Sequence, residues 1–360
     1  MKVALFYPWN FLGGWGACGG YATALRRAGH EVVDYPFPGN QVVDPESHVK
    51  KAPTLEQLNS CGAILSLHHE YVQPWLEAVY DYDKVWKKVK TPVVARLDES
   101  VDRFDLAIER RLPELRKWAD VLCYPAAQDA EKHGAPWVPH AVDVEMFRPK
   151  KSITVVETNS TLPYDIGKIY DDREEKKYDL AFIGSYYQPR RQYAEQLANQ
   201  LGPGGPTFHV GMVAAQDLSG PRGDYTMPLL AENYRRIKVF FCLPPLSRLV
   251  VTKAFEVMAC GTFLMYPRFP GVAQKNEALF EDGVHLAYYD LGQFVDNARQ
   301  IVDWLFNEKE REKVAKRGAE QVAKNHSYER FFDDLLKVAV GARGNRERRG
   351  IHVEETAVIS

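Results

Sequence analysis

TKAFEVMACGTFLMYP, residues 252–267, carries the pattern that decides the fold, with GVAQKNEALFEDGVHLAYY (271–289) close behind it. The first part reads as a short helix, a glycine stop and a buried strand. Gly261 suits a helix end, where a positive φ costs only glycine nothing. Thr262 to Tyr266 is a β-rich run. Glu256 lies inside the helical turn among Phe255, Val257, Met258 and Ala259. A carboxylate in such company is paired or working. An acid on a packed helix, beside a strand end and a glycine-containing loop, is suited to gripping the vicinal hydroxyls of a ribose. A glutamate turned to solvent would leave the same trace in the sequence.

Outward from this stretch, strand-like and helix-like segments alternate. KVALFY (2–7) is a buried-strand run, followed by a loop with glycines at 13, 14, 16, 19 and 20. YATALRRAGH (21–30) has helical spacing, and EVVDYP returns to strand. This is the opening of a doubly wound domain. CGAILSLHHE (61–70) reads as a strand ending in two histidines and TPVVARLDES (91–100) as a strand ending in acids. DVLCYP and APWVPHAV read as further short strands. Pro113 suggests a break, or a new first turn, in the helical FDLAIERRLPELRKWA. Polar residues 151–177 read as a connection, after which YDLAFIG (178–184) restarts the alternation. The expected division is 1–150, a connection at 151–177, and 178–326. A last helix at 327–340 returns to the first unit, and 341–360 is a tail poor in core formers.

The 360 residues suffice for two ordinary domains, and 45% hydrophobic with 26% charged residues is a globular composition. A formal charge of −2 gives no general attraction to nucleic acid or anionic membrane. The five cysteines form no CxxC pair and read as free thiols of a reducing compartment. No apolar run reaches the roughly 18 residues of a membrane span. No leader is apparent after Met1, so a cytoplasmic location is expected.

The 252–267 stretch resembles the donor-binding signature of GT-B glycosyltransferases of group 1 (family 4-like), and its details are most similar to the CgeB-like branch. WVPHAVDVEMFRP (137–149) resembles the interdomain motif of that family through Pro139, Val142, Asp143, Phe147 and Pro149. The resemblance implies two Rossmann-like domains facing a cleft, and transfer of a sugar from a nucleoside diphosphate to a hydroxyl with retention. It implies that Glu256 binds the donor ribose. It places a glycine and then the basic residues of FIGSYYQPRR (182–191) at the departing diphosphate, so Gly184, Ser185, Arg190 and Arg191 become candidates. Paired guanidinium donors suit that task. Lys253 shares a helix face with Glu256 and is either a phosphate contact or an ion-pair partner. Gly14 in the first glycine loop, and Gly271 and Val272 after the strand, offer backbone amides to phosphate or sugar. Plain turns would read alike.

His68 and His69 end a strand and point to opposite sides, so His68 is a candidate to reach the sugar while its neighbour packs, a purely structural histidine being the competing reading. Asp98 at the next strand end is a candidate to receive the acceptor hydroxyl proton. A helix cap by Asp98 or Ser100 is the competing reading. One departure from the family stands out. Many relatives carry a second acid eight residues before the ribose-binding one, and this chain has Arg248 there. Arg248 would meet phosphate or an acidic sugar, and the sugar cannot be carried over. No metal and no further cofactor are expected, because Arg190, Arg191 and Lys253 supply the positive charge. The acceptor, whether glycan, small molecule or modified polymer, is open. Two rivals remain: a non-catalytic sugar- or nucleotide-binding assembly protein of spore-coat type, and a DNA-base glycosyltransferase suggested by the arginines of 343–349.

Overall fold

The computed structural model describes residues 1–9, 20–38, 52–101, 107–149, 176–186, 188–214, 227–246 and 248–348. Gly14, the connection at 151–175 and the tail after Arg348 lie outside the described residues.

The first half contains β1 (Lys2–Trp9), α1 (Tyr21–Arg27), β2 (Glu31–Pro38), α2 (Leu55–Asn59), β3 (Ala63–Leu67), α3 (His69–Val79), β4 (Val93–Arg96), α4 (Ile108–Lys117), β5 (Val121–Cys123) and α5 (Ala127–His133). The second contains β6 (Tyr178–Tyr186), α6 (Gln188–Leu201), β7 (Phe208–Ala214), α7 (Met227–Arg235), β8 (Ile237–Phe241), α8 (Thr252–Ala259), β9 (Phe263–Arg268), α9 (Ala273–Glu277), β10 (Ala287–Asp290), α10 (Phe294–Phe306) and α11 (Glu308–Asn325). α12 (Tyr328–Arg348) closes the described chain.

Each half is one five-stranded sheet, in order β2-β1-β3-β4-β5 and β10-β9-β8-β6-β7. Every pairing within them is parallel. The strand order reverses between β1 and β3 in one sheet, and between β6 and β8 in the other. Crevices for ligands open at such reversals, beyond the strand C-termini.

Strand periodicity sorts the first core into two layers. Val3, Leu5 and Tyr7 of β1 face α1 and α12, while Ala4 and Phe6 face Tyr35, Phe37, Trp86 and Trp118. α12 lays Tyr328, Phe331, Phe332 and Leu335 on the first layer, and so returns from the second half to the first. The crossing is fixed by backbone bonds, Val142 N–H to the His326 carbonyl (3.0 Å) and Tyr328 N–H to the Val142 carbonyl (3.1 Å). Arg27 clamps it from α1, donating to Asp143 at 3.0 Å and Glu329 at 2.7 Å.

Four local expectations are corrected. His68 and His69 do not end a strand: β3 stops at Leu67, His68 takes left-handed angles (φ 52°, ψ 48°), and His69 begins α3. Pro113 does not break α4, which runs through it. The proline is exposed on the outer face, while Ile108, Leu112 and Leu115 bury the inner one. Residues 135–142 form isolated bridges, Tyr124 with Trp137 and Val142 with Ser327, instead of a strand. α12 continues through Gly341 to Arg348, with Ala342 buried. One glycine costs a helix about 1 kcal/mol, which neighbouring buried alanines offset.

Candidate functional site

α8 ends as its sequence suggests. Gly261 has φ +70°, its N–H bonds the Met258 carbonyl at 2.8 Å, and Thr262 N–H bonds Val257 at 3.3 Å. The turn sends the chain into β9. Before the helix, the Tyr266 hydroxyl accepts from Val251 N–H (3.2 Å) and donates to the Leu249 carbonyl (2.9 Å). One hydroxyl therefore fixes the residues that lead into α8.

Glu256 is buried at 4% exposure and accepts from the Tyr234 hydroxyl at 3.4 Å. Burial pushes its carboxyl upward, and Lys253 pulls against that. Lys253 donates to the Ile183 carbonyl of β6. Burial, and then the nearby Arg190, pull its ammonium downward. Arg190, the third residue of α6, is buried at 7% exposure, donating to the Pro244 carbonyl at 3.4 Å. The Arg190 and Lys253 cations stand over the same Phe182 ring, 4.9 and 5.1 Å from its centroid. Their mutual repulsion is the kind an anion relieves.

Gly184 makes this possible. A Cβ there would lie 2.5 Å from Lys253 Nζ and 2.6 Å from the Phe182 ring. Beside Arg190, an open cavity of about 550 Å³ is walled by Pro189, Arg190, Tyr193, Pro244, Leu246 and Phe294. Mostly apolar walls with one cation suit an amphipathic ligand.

The other candidates of this half separate from the cluster. Arg191 is exposed and pairs with Glu195 at 2.7 Å. Arg248 is exposed, and its backbone carbonyl accepts from Asn276 at 3.0 Å. Val272 is buried and its amide already donates to Phe269 (3.3 Å), so the expectation that it offers that amide to a ligand is corrected. Gly271 is exposed with φ +83°. Ser185 lies in β6 opposite Val213.

In the first half, His68 stands at the reversal between β1 and β3. A left-handed non-glycine residue is uncommon, and such strain is concentrated at functional positions. Its Nε2 lies 3.0 Å from the Tyr21 hydroxyl and its Nδ1 3.2 Å from Asp98 Oδ2. Asp98 meets Arg96 at 3.3 Å and stands 3.6 Å from His140 Nδ1. Burial alone would raise the Asp98 carboxyl, but His68 and Arg96 hold it well below the usual carboxylate range. His140 is itself pushed down to about 3 by burial and by Arg96, so it is neutral and the standing positive charge beside Asp98 is Arg96.

Two carboxylates hold the described part of this loop. Glu70 accepts from the Asp98 amide (2.9 and 3.1 Å) and the Glu99 amide (3.0 Å). Asp129 accepts from the Ser100 hydroxyl (3.0 Å) and Val101 N–H (2.9 Å). His69 is structural: its ring spans from Ser66 Oγ (2.7 Å) to the Leu115 carbonyl (3.0 Å), and burial pushes it down to about 4.

His140 Nδ1 also meets Thr252 Oγ at 3.0 Å, which joins the Asp98 cluster to α8. Sequence reasoning missed Tyr21, Glu70, Arg96, His140, Tyr234 and Thr252. A signal existed for Arg96, a charge inside the buried run VVARL, and for His140 inside the 137–149 motif. Among the described residues no three His, Cys, Asp or Glu side chains gather as a metal site, and no helix is long and apolar enough to cross a membrane.

Residues 222–337 match the model of a family described as glycosyl transferase-like. No curated protein matches the sequence. Solved structures do match over nearly the whole chain. The Anabaena protein HepE in complex with UDP and glucose superposes with a TM-score of 0.59 at 12% identity, covering 95% of this chain and 100% of that one. Sucrose-phosphate synthase from Thermosynechococcus elongatus does so at 0.59 and 13%, covering 97% and 100%. An alpha-glucosyltransferase in complex with UDP and a 13-mer DNA gives 0.61 and 13%, covering 94% and 100%. At these identities the likeness is one of architecture, and with its two parallel sheets, each reversing at its own crevice, the chain has the GT-B fold of glycosyltransferases.

Proposed function

We propose that this protein transfers a glycosyl group from a nucleoside-diphosphate sugar to a hydroxyl acceptor. The observation that carries the reading is the pairing of buried Arg190 and half-buried Lys253 over Phe182, beside Glu256 at the β6/β8 reversal, with Lys253 and Glu256 inside the segment that matches the family model. Arg190 and Lys253 meet the diphosphate, and their charge counts most as the glycosidic bond breaks and negative charge grows on the leaving group. Glu256 receives the ribose hydroxyls. The cavity beside Arg190 takes the base or the sugar. Arg191, Gly271 and Arg248 are left to a second tier of contacts, since they are exposed.

Across the cleft, Asp98 and His68 face the acceptor. Asp98 stays ionised, which suits it to orient a hydroxyl and draw its proton. Retention, hexosyl specificity, placement in the CgeB-like branch and operation in the cytoplasm belong to the same proposal. The protein cations stand where a divalent ion would otherwise neutralise phosphate, so no metal or further cofactor is required.

Titration with UDP and UDP-glucose by calorimetry, followed by UDP release with and without EDTA, tests the reading. UDP at about 100 times its dissociation constant adds about 2.7 kcal/mol of stability. Failure of UDP and of other nucleoside diphosphates to bind would remove the donor site. Loss of turnover in EDTA, restored by Mg²⁺ or Mn²⁺, would remove metal independence. Tight UDP binding without turnover would favour the non-catalytic binding protein. A DNA acceptor has the DNA complex of the alpha-glucosyltransferase neighbour in its favour, and the net charge of −2 against it.

A further inference from the structure

We infer that His140 is a positioning residue, holding the donor helix α8 in register with the Asp98 cluster through the Thr252 hydroxyl. Its consequence for turnover rests on the glycosyl-transfer reading above. The contact itself does not.

His140 Nδ1 is approached by two donors from opposite halves. Arg96 Nη2 of β4 stands at 3.3 Å, and Thr252 Oγ of α8 at 3.0 Å. A guanidinium can only donate, so Nδ1 presents its lone pair, and the Thr252 hydroxyl donates to it as well. The imidazole ring packs edge-on against Phe255, with centroids 6.3 Å apart, so the same residue meets the apolar face of α8. His140 is 7% exposed. It stands two residues before Val142, where the chain pairs with Ser327 at the return crossing.

The arrangement makes one path of contacts. Tyr21 meets His68, His68 meets Asp98, and Asp98 and Arg96 gather around His140. His140 then meets Thr252, one residue before Lys253 and four before Glu256. The acceptor-side carboxylate and the donor-side cation are thus connected through this hydrogen bond between the halves. Misplacing reacting groups by a fraction of an ångström to one ångström is costly in rate, so a contact that sets their register acts on turnover without touching a substrate.

Amide hydrogen exchange on the free protein tests the inference with Thr252→Val, which keeps the shape and removes the donor, and Thr252→Ser, which keeps the donor. In Thr252→Val the amides of Asp98 and Glu99, on the other half, exchange about fivefold faster, the effect of losing one net hydrogen bond. Thr252→Ser exchanges like the unsubstituted chain. A purely local role of Thr252 would alter exchange in α8 alone. Unchanged Asp98 and Glu99 amides in Thr252→Val, or Thr252→Ser matching it, would overturn the inference. With UDP-glucose as donor, Thr252→Val lowers kcat by about fivefold and leaves KM within about twofold. A raised KM at unchanged kcat would count against positioning. If the unsubstituted protein turns over no nucleotide sugar, the transfer reading falls, and the exchange result still decides the role of His140.

Discussion

Glu256 occupies an apolar helix turn, and that fact was readable from five adjacent letters. What it meets was not. The Tyr234 hydroxyl comes from another helix, and the buried setting lifts the carboxyl toward its neutral form. Glu256→Gln keeps the size and removes the charge. Donor affinity is expected to fall about tenfold or more, the worth of a hydrogen bond to a charged group, in calorimetric titration with UDP. Equal affinity in the folded variant would end the ribose assignment. Gly184→Ala makes a complementary test. The new methyl would stand 2.5 Å from Lys253 Nζ, so the ammonium must move. Overpacking of this kind costs about 1–3 kcal/mol, and UDP binding should weaken with it. His326 gives a pH signature. Burial against Phe255 and Phe280 pushes its pKa down to about 4. A depressed pKa means the unfolded chain binds the extra proton. The stability is therefore present above the unfolded value near 6.5, and is lost as pH falls toward 4. Urea unfolding of His326→Phe across that window should show a pH slope shallower by about 1.4 kcal/mol per unit. An unchanged slope would mean that His326 is protonated in the folded protein.

Elements were legible wherever hydrophobic periodicity is strong. The β1 and β6 runs and the α8–β9 turn needed only apolar spacing and one glycine. The ends were less legible, because backbone geometry at a strand end is set by what the next element demands. His68 is the example: the chain leaves β3 and enters α3 within one residue, and a left-handed conformation achieves that turn. Pro113 misled because the rule for proline weighs the lost bond, while α4 is held by Ile108, Leu112 and Leu115 on its inner face. α12 carries the element-scale prediction. Phe332 is 1% exposed and meets Tyr21, Tyr328 and Phe331 ring to ring. Phe332→Ala should cost about 3–5 kcal/mol in denaturant unfolding. Ending the chain at His326 should destabilise the first half further, because its β1–β3 layer loses its cover. A truncated chain melting like the full one would show that the α12 packing contributes nothing to stability.

On the scale of the whole molecule, the two sheets have separate cores, joined by α12, the Arg27 clamp and the His140–Thr252 contact. The donor groups all belong to the second half. Hydrogen exchange with UDP should therefore show protection concentrated at the end of β6 and in α8. The amides around Glu70 and Asp98 should change less. Protection confined to the first half would place the nucleotide in the wrong domain and reverse the donor and acceptor sides.

The sequence by itself determined the alternation of strands and helices, the division into two β/α halves, and Glu256, Lys253, Gly184 and Arg190 as residues to watch. These follow from local chemistry: apolar period, an acid inside an apolar helix turn, a glycine closing an apolar strand run, and cations shortly after it. Only the tertiary structure decided that Arg190 and not Arg191 joins Lys253, because a rotation of one residue on α6 turns a side chain from the Phe182 ring to solvent. It alone brought Tyr21, His68, Asp98, Arg96, His140 and Thr252 into one path. Those six come from α1, the β3 end, β4 and its loop, the stretch before the crossing, and α8. No spacing rule connects them, since their meeting is set by how two sheets and a returning helix pack.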